Sequence, residues 1–154
     1  MTADLISVDI DPASLAPASP EVEQEREVAI ADLLESNSFE PEGGAGGPYQ
    51  LRLSREDNRL ILEVTGPSYS RAHGLSLTPF RGVIKDYFLV CDSYFEAVRS
   101  SPQQIEALDM GRRGLHNEGS ELLRERLSGK IELDLDTARR LFTLICALHR
   151  RAPA

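Results

Sequence analysis

The densest chemistry in the chain stands in DMGRRGLHNEGSELL, Asp109 to Leu123, where a histidine, two adjacent arginines and three carboxylates share one short stretch. Arranged as an acid–base site, His116 is the general base, Glu118 or Asp109 orients it, and Arg113 stabilises a developing anion. On that reading the chain is a small enzyme acting on a phosphorylated or nucleotide substrate. Arranged as a binding site, the stretch presents Arg112, Arg113, His116 and Asn117 to an anionic partner, since guanidinium groups make two-point contacts with phosphate and carboxylate. A third reading is architectural. Gly114 closes one helix in the left-handed conformation, Leu115 makes the accompanying apolar contact, and Asn117 caps a second helix that ends at Gly129. Such a corner leaves Gly111 and Gly119 inside helical segments, each costing about 1 kcal/mol relative to alanine. Close approach of a neighbouring helix is the commonest reason to accept that cost.

Other basic residues sit where helix dipoles disfavour them. Arg81 and Lys85 follow Thr78-Pro79, and Arg139-Arg140 follow Asp136-Thr137. A cation near a helix start costs roughly 0.3–1 kcal/mol unless something compensates. Asp86, Asp134 and Asp136 are the nearest compensating carboxylates. Alternatively, Arg81, Lys85, Arg113, Arg139 and Arg140 converge with free helix-start amides into an anion pocket. Metal chemistry has less support, because His73, His116, His149, Cys91 and Cys146 are scattered without ligand spacing. Neither a metal nor a cofactor is expected. A DNA-reading helix is opposed by Glu118, Glu121 and Glu125, which would repel phosphates around Arg124 and Arg126.

Several elements must position these groups. LISVDID alternates Ile6, Val8 and Ile10 with polar residues and reads as a half-buried strand. Ser19-Pro20-Glu21 opens a helix with Val22, Ala29, Ile30, Leu33 and Leu34 on its apolar face. Its clustered glutamates suit the positive helix end and need no functional explanation. PEGGAGGP, residues 41–48, is a loop within one domain. YQLRLS and RLILEVT form a hairpin turning through Glu56-Asp57-Asn58, and His73 to Leu77 adds a strand. From Thr78 the apolar spacing becomes helical, and Phe80 to Val98 reads as the central core helix. Ser101-Pro102 starts another helix, and KIELD, Lys130 to Asp134, is a short strand. Asp134 or Asp136 caps a last helix that is apolar on more than one side, with His149, Arg150 and Arg151 suiting its negative end. These elements predict one α+β domain over residues 1–154. A small, mainly antiparallel sheet of four to five strands packs against a C-terminal group of about four helices.

Composition narrows the functional classes. The 154 residues are 41% hydrophobic and 27% charged, as in ordinary globular proteins. No apolar run approaches the roughly 20 residues that span a bilayer, and the acidic start MTADLISVDID lacks a signal peptide's basic and apolar regions. A cytoplasmic protein without a membrane partner is expected. Cys91 and Cys146 read as small buried thiols. The net charge of −8 is uneven: residues 1–77 carry 5 Lys/Arg against 14 Asp/Glu, and residues 78–154 carry 12 against 11. Non-specific nucleic-acid binding needs a basic excess, so the balance argues against it while allowing a basic patch in the second half.

Long motifs carry a family resemblance. SLTPFRGVIKDYFLVCDSYFEAV, DMGRRGLHNEGSELL and TARRLFTLICALH, with PEVEQEREVAIADLLESNSF and GGPYQLRLS, resemble uncharacterised protein family 0262 (UPF0262) of alphaproteobacteria, over most of residues 20–149. The resemblance implies a bacterial cytoplasmic protein and assigns no functional residue. The arginine–histidine spacing also resembles HEPN-type ribonucleases, but those separate the pair by more residues than lie between Arg112 or Arg113 and His116. With no nucleophile–base pair and no nucleotide fingerprint, the leading expectation is a non-enzymatic binding or regulatory module. Its partner would be a protein or a phosphorylated ligand, held at the 109–121 stretch and nearby arginines.

Overall fold

Period-two alternation builds the main sheet. In a computed structural model, which describes residues 4–15, 18–44 and 46–149, strands β1 (Leu5–Ile10), β3 (Tyr49–Glu56), β4 (Arg59–Gly66) and β5 (Tyr69–Ser76) lie in the order β1-β3-β4-β5. Leu51 and Leu53 of β3 and Leu60, Leu62 and Val64 of β4 point into the core, while the residues between them face outwards. β3, β4 and β5 are antiparallel neighbours. The hairpin turns at Asp57, whose φ of 55° is one that aspartate tolerates. β1 pairs in parallel with β3, so the chain must cross over between them, and helix α1 (Pro20–Glu35) does this. β2 (Phe39–Pro41) and β6 (Ile131–Leu133) form a separate antiparallel pair that the sequence reading showed only in part, as the KIELD strand.

The helices are α1, α2 (Arg81–Ser100), α3 (Ile105–Leu127) and α4 (Leu135–His149). α1 packs on α4, α4 on α3, and α3 on α2. Ser19 caps α1 by accepting from the Val22 amide at 3.3 Å. Asp134 caps α4, accepting from the Thr137 amide at 2.8 Å. Thr78 does not cap α2. A 3-10 turn over Thr78–Phe80 leads into that helix, and the threonine hydroxyl instead accepts from the Asn58 side chain. Arg150 and Arg151, expected at the end of α4, lie outside the described residues. Among the described residues no helix is long and apolar enough to cross a membrane.

Two expectations are corrected. The core helix is α4, which buries Thr137, Ala138, Leu141, Phe142 and Leu144 to Leu148, whereas α2 buries only Val83, Ile84, Cys91 and Ala97. The longer apolar stripe on α2 is genuine, but part of it faces a groove. The corner at Gly114 is absent: α3 runs unbroken from Ile105 to Leu127. Asn117 is an exposed mid-helix residue and not a cap. A continuous face of His116, Gly119, Ser120, Leu123 and Leu127 carries the helix past its glycines, because tertiary burial outweighs their weak propensity. Gly129, at φ 84°, is the left-handed residue after its end, as expected.

Candidate functional site: a groove between four helices

Gly119 shows why α3 and α4 cross so closely. A Cβ there would stand 2.1 Å from Cζ of the buried Phe142 ring, so only hydrogen fits. This close contact brings His116, one turn earlier on α3, against α4. The histidine ring lies 5.5 Å from Tyr87 of α2 and 5.2 Å, edge-on, from Phe142. Its Nε2 meets Thr143 Oγ1 at 2.8 Å, and the Thr143 hydroxyl donates to the Arg139 carbonyl at 3.0 Å. A hydroxyl has one proton, so Thr143 accepts from an Nε2–H of the imidazole. Nδ1 faces Ser120 Oγ at 3.5 Å, while that hydroxyl donates to the His116 carbonyl at 2.7 Å. Burial, reinforced by the Arg139 charge, holds the imidazole below its usual pKa.

The other predicted residues divide into separate groups. Arg112 and Arg113 share one carboxylate: Asp109 Oδ1 binds Arg112, and Oδ2 lies 2.7 Å from Arg113. The three positions follow i, i+3, i+4 spacing on one helix face. The Arg112 guanidinium also stacks over Tyr94 at 4.3 Å, which fixes its plane. Two cations on one anion leave this cluster net positive. Glu118 is exposed, and two positions along a helix from His116 it projects to a different side.

Arg81 donates to the Asn58 side-chain oxygen at 2.9 Å, beside the β3–β4 turn. Lys85 is exposed on α2. Arg140 donates to the Ser36 carbonyl at 2.7 Å and lowers the Asp134 pKa, after the larger effect of that carboxylate's hydrogen bond with Thr137. Its placement near a helix start is thereby explained, because it neutralises the negative end of α1 and the cap of α4. Arg139 is exposed near His116. Arg81 and Arg140 thus engage different elements, and Arg112 and Arg113 are paired within α3. Of the histidines, His73 contacts the Tyr69 hydroxyl at 3.2 Å and His149 the Ile145 carbonyl at 2.8 Å.

Where α1 and α2 stand apart, a groove of about 390 Å³ opens. Tyr87, Cys91 and Phe95 form its α2 wall, Thr143 and Cys146 contribute from α4, and Arg112 comes from α3. The α1 wall carries Val28 with the acidic Glu25 and Asp32. Phe95 and Val28 stand 57% and 49% exposed at its edges. Sequence reading missed most of this lining, because its members fit a helical apolar pattern that ordinarily means core. The available signal was that α2 carries more apolar positions than one buried face requires.

No solved structure matches this chain. A model described as "Uncharacterised protein family (UPF0262)" matches residues 2–151. A UPF0262 protein of Phenylobacterium zucineum is 66% identical over 148 residues, covering 96% of this chain and 93% of the relative. One of Caulobacter vibrioides (strain NA1000 / CB15N) is 68% identical over 146 residues, covering 94% and 92%. One of Maricaulis maris is 58% identical over 151 residues, covering 96% and 94%. The motifs around His116 and along α2 and α4 therefore belong to a full-length family likeness, and the chain belongs to the uncharacterised protein family UPF0262.

Proposed function

We propose that this protein is a non-enzymatic binding module whose ligand occupies the groove between α1 and α2. The ligand has an apolar body and one anionic group, a carboxylate or phosphate. The supporting observation is Arg112, a guanidinium held rigid by Asp109 and Tyr94 on the wall of a largely apolar cleft. A cleft of that size falls within the roughly 300–1,000 Å³ range of small-molecule sites, where a few fixed polar groups orient a mostly apolar ligand. The apolar body lies against Phe95, Tyr87 and Val28. Glu25 and Asp32 on the opposite wall repel the anionic end and direct it towards Arg112, with Arg113 adding charge from the same cluster.

The acid–base alternative has less support. His116 is engaged with Thr143 and packed between two aromatic rings, and Glu118 lies on another side of α3. Arg113 shares Asp109 with Arg112, so its charge belongs to that cluster. The three groups of that reading therefore have separate tasks.

The test uses 1-anilinonaphthalene-8-sulfonate, which joins an apolar body to one anion, with decanoate as competitor. The folded protein should bind one equivalent saturably, and decanoate should displace it. Arg112→Gln should weaken binding about tenfold, equivalent to about 1.4 kcal/mol, with an unchanged near-ultraviolet circular dichroism spectrum. Equal affinity in wild type and Arg112→Gln, or no saturable binding, would overturn the proposal.

A further inference from the structure

Both cysteines of the chain line the same groove, although 55 positions separate them in sequence. Their placement follows from the helix packing. α2 runs antiparallel to α3, with Tyr94 beside Arg112 and Tyr87 beside His116. α4 also runs antiparallel to α3, with Thr143 beside His116 and Arg124 reaching the Leu133 carbonyl just before α4 begins. α2 and α4 are therefore parallel to one another. Tyr87 and Phe142 meet at one level, with ring centroids 6.4 Å apart. Cys91 and Cys146 are each four residues further along, one helical turn in the same direction, so they stand level across the groove. Neither is in a disulfide, and both are buried, 5% and 4% exposed. Tyr87 and Arg112 line the groove together with both sulfurs, and burial, with the neighbouring thiols, pushes the Tyr87 hydroxyl well above its usual pKa.

From this arrangement we infer that Cys91 and Cys146 form a thiol–disulfide couple, oxidised by a small neutral peroxide that enters the groove. The Cys91 thiolate attacks one peroxide oxygen; the O–O bond breaks, and Cys91 becomes a sulfenic acid as hydroxide leaves and takes a proton to become water. Cys146 then attacks the Cys91 sulfur, the S–O bond breaks, and the departing oxygen takes a proton to leave as a second water. In sum, two thiols are oxidised to one disulfide while one hydrogen peroxide is reduced to two waters. Cys91 is the first sulfur to react because the thiolate is the nucleophilic form and Arg112, stacked on Tyr94 three residues along α2, is the cation lining the groove. Cys146 resolves the intermediate before a second peroxide arrives. The couple goes beyond the ligand-binding reading and does not depend on it. The disulfide holds its two Cα atoms within about 7 Å and so locks α2 against α4.

The test treats the folded, reduced full chain with one equivalent of hydrogen peroxide, followed by alkylation of remaining thiols and intact-mass measurement. Wild type should become a monomer two hydrogens lighter, with neither cysteine alkylated, and dithiothreitol should restore both sites. Cys146→Ser should stop at a sulfenic acid on Cys91 that dimedone captures, and Cys91→Ser should react at least tenfold more slowly. Two alkylated thiols after treatment, separate sulfinic acids on each cysteine, a disulfide-linked dimer, or a bridge formed only in denaturant would each overturn the inference. Near-ultraviolet circular dichroism of each variant before oxidant ensures that folded protein is compared.

Discussion

The two halves of α3 follow different rules within one unbroken helix. Around Gly119, Ser120, Leu123 and Leu127 the residues are buried, and their sizes are set by the Phe142 ring and its neighbours. Around Asp109 to Gly114 the helix holds a surface ion cluster, and a Cβ on Gly114 would meet nothing within 4 Å. Gly111 falls between these extremes, with Val90 at an ordinary 3.8 Å. A glycine in a helix is thus a packing requirement at one site and a local weakness at another. The same comparison separates the residues that make the fold from those free to meet a ligand.

Three measurements sharpen or break that contrast. The largest effect is expected from Gly119→Ala, which forces a methyl group against a ring that buried neighbours hold in place. Urea unfolding should show a loss of about 1–3 kcal/mol, the usual range for overpacking. A neutral result would mean that Phe142 moves aside easily. Gly114→Ala should act in the opposite direction, raising stability by roughly 0.5–1 kcal/mol through helix propensity alone; a loss would break the contrast between the halves.

The smallest effect is expected at the junction, in pH dependence. Burial lowers the folded-state pKa of His116, so its stabilising contribution is complete above the unfolded value near 6.5 and is lost as pH falls through the lower folded value. The stability advantage of wild type over His116→Gln should therefore shrink as pH falls below 6.5. Using this difference removes the contribution of His73, whose pKa burial also lowers. An advantage that grows towards acid pH would contradict the neutral imidazole between Tyr87 and Phe142.

The fold was more legible than the site, for physical reasons. Alternation in YQLRLS and RLILEVT, the Ser19 cap and the dense apolar pattern of α4 are local signals, and each matches its element. The continuity of α3 was not legible, because Gly114, Leu115 and Asn117 satisfy the chemistry of a helix end while burial against α4 decides otherwise. The anomalous position of Arg140 could be noticed, but its partner, the Ser36 carbonyl, lies 104 residues away. Likewise, Tyr87, Cys91 and Phe95 were recognisable as one helix face. That the face borders a groove depends on how far α1 stands from α2.

The first helix is tied to the last by contacts that span most of the chain. Arg26 donates to the Ala147 carbonyl, the Ser38 amide donates to Thr137, and Arg140 reaches Ser36, across separations of 121, 99 and 104 residues. During synthesis, α1 leaves the ribosome long before the segment that covers its apolar side exists. Closing such long loops is slow and yields its gain only when the far partner arrives. A nascent chain that has not yet reached α4 would therefore carry α1 uncovered, and the emergence of α4 becomes the event that seals the molecule.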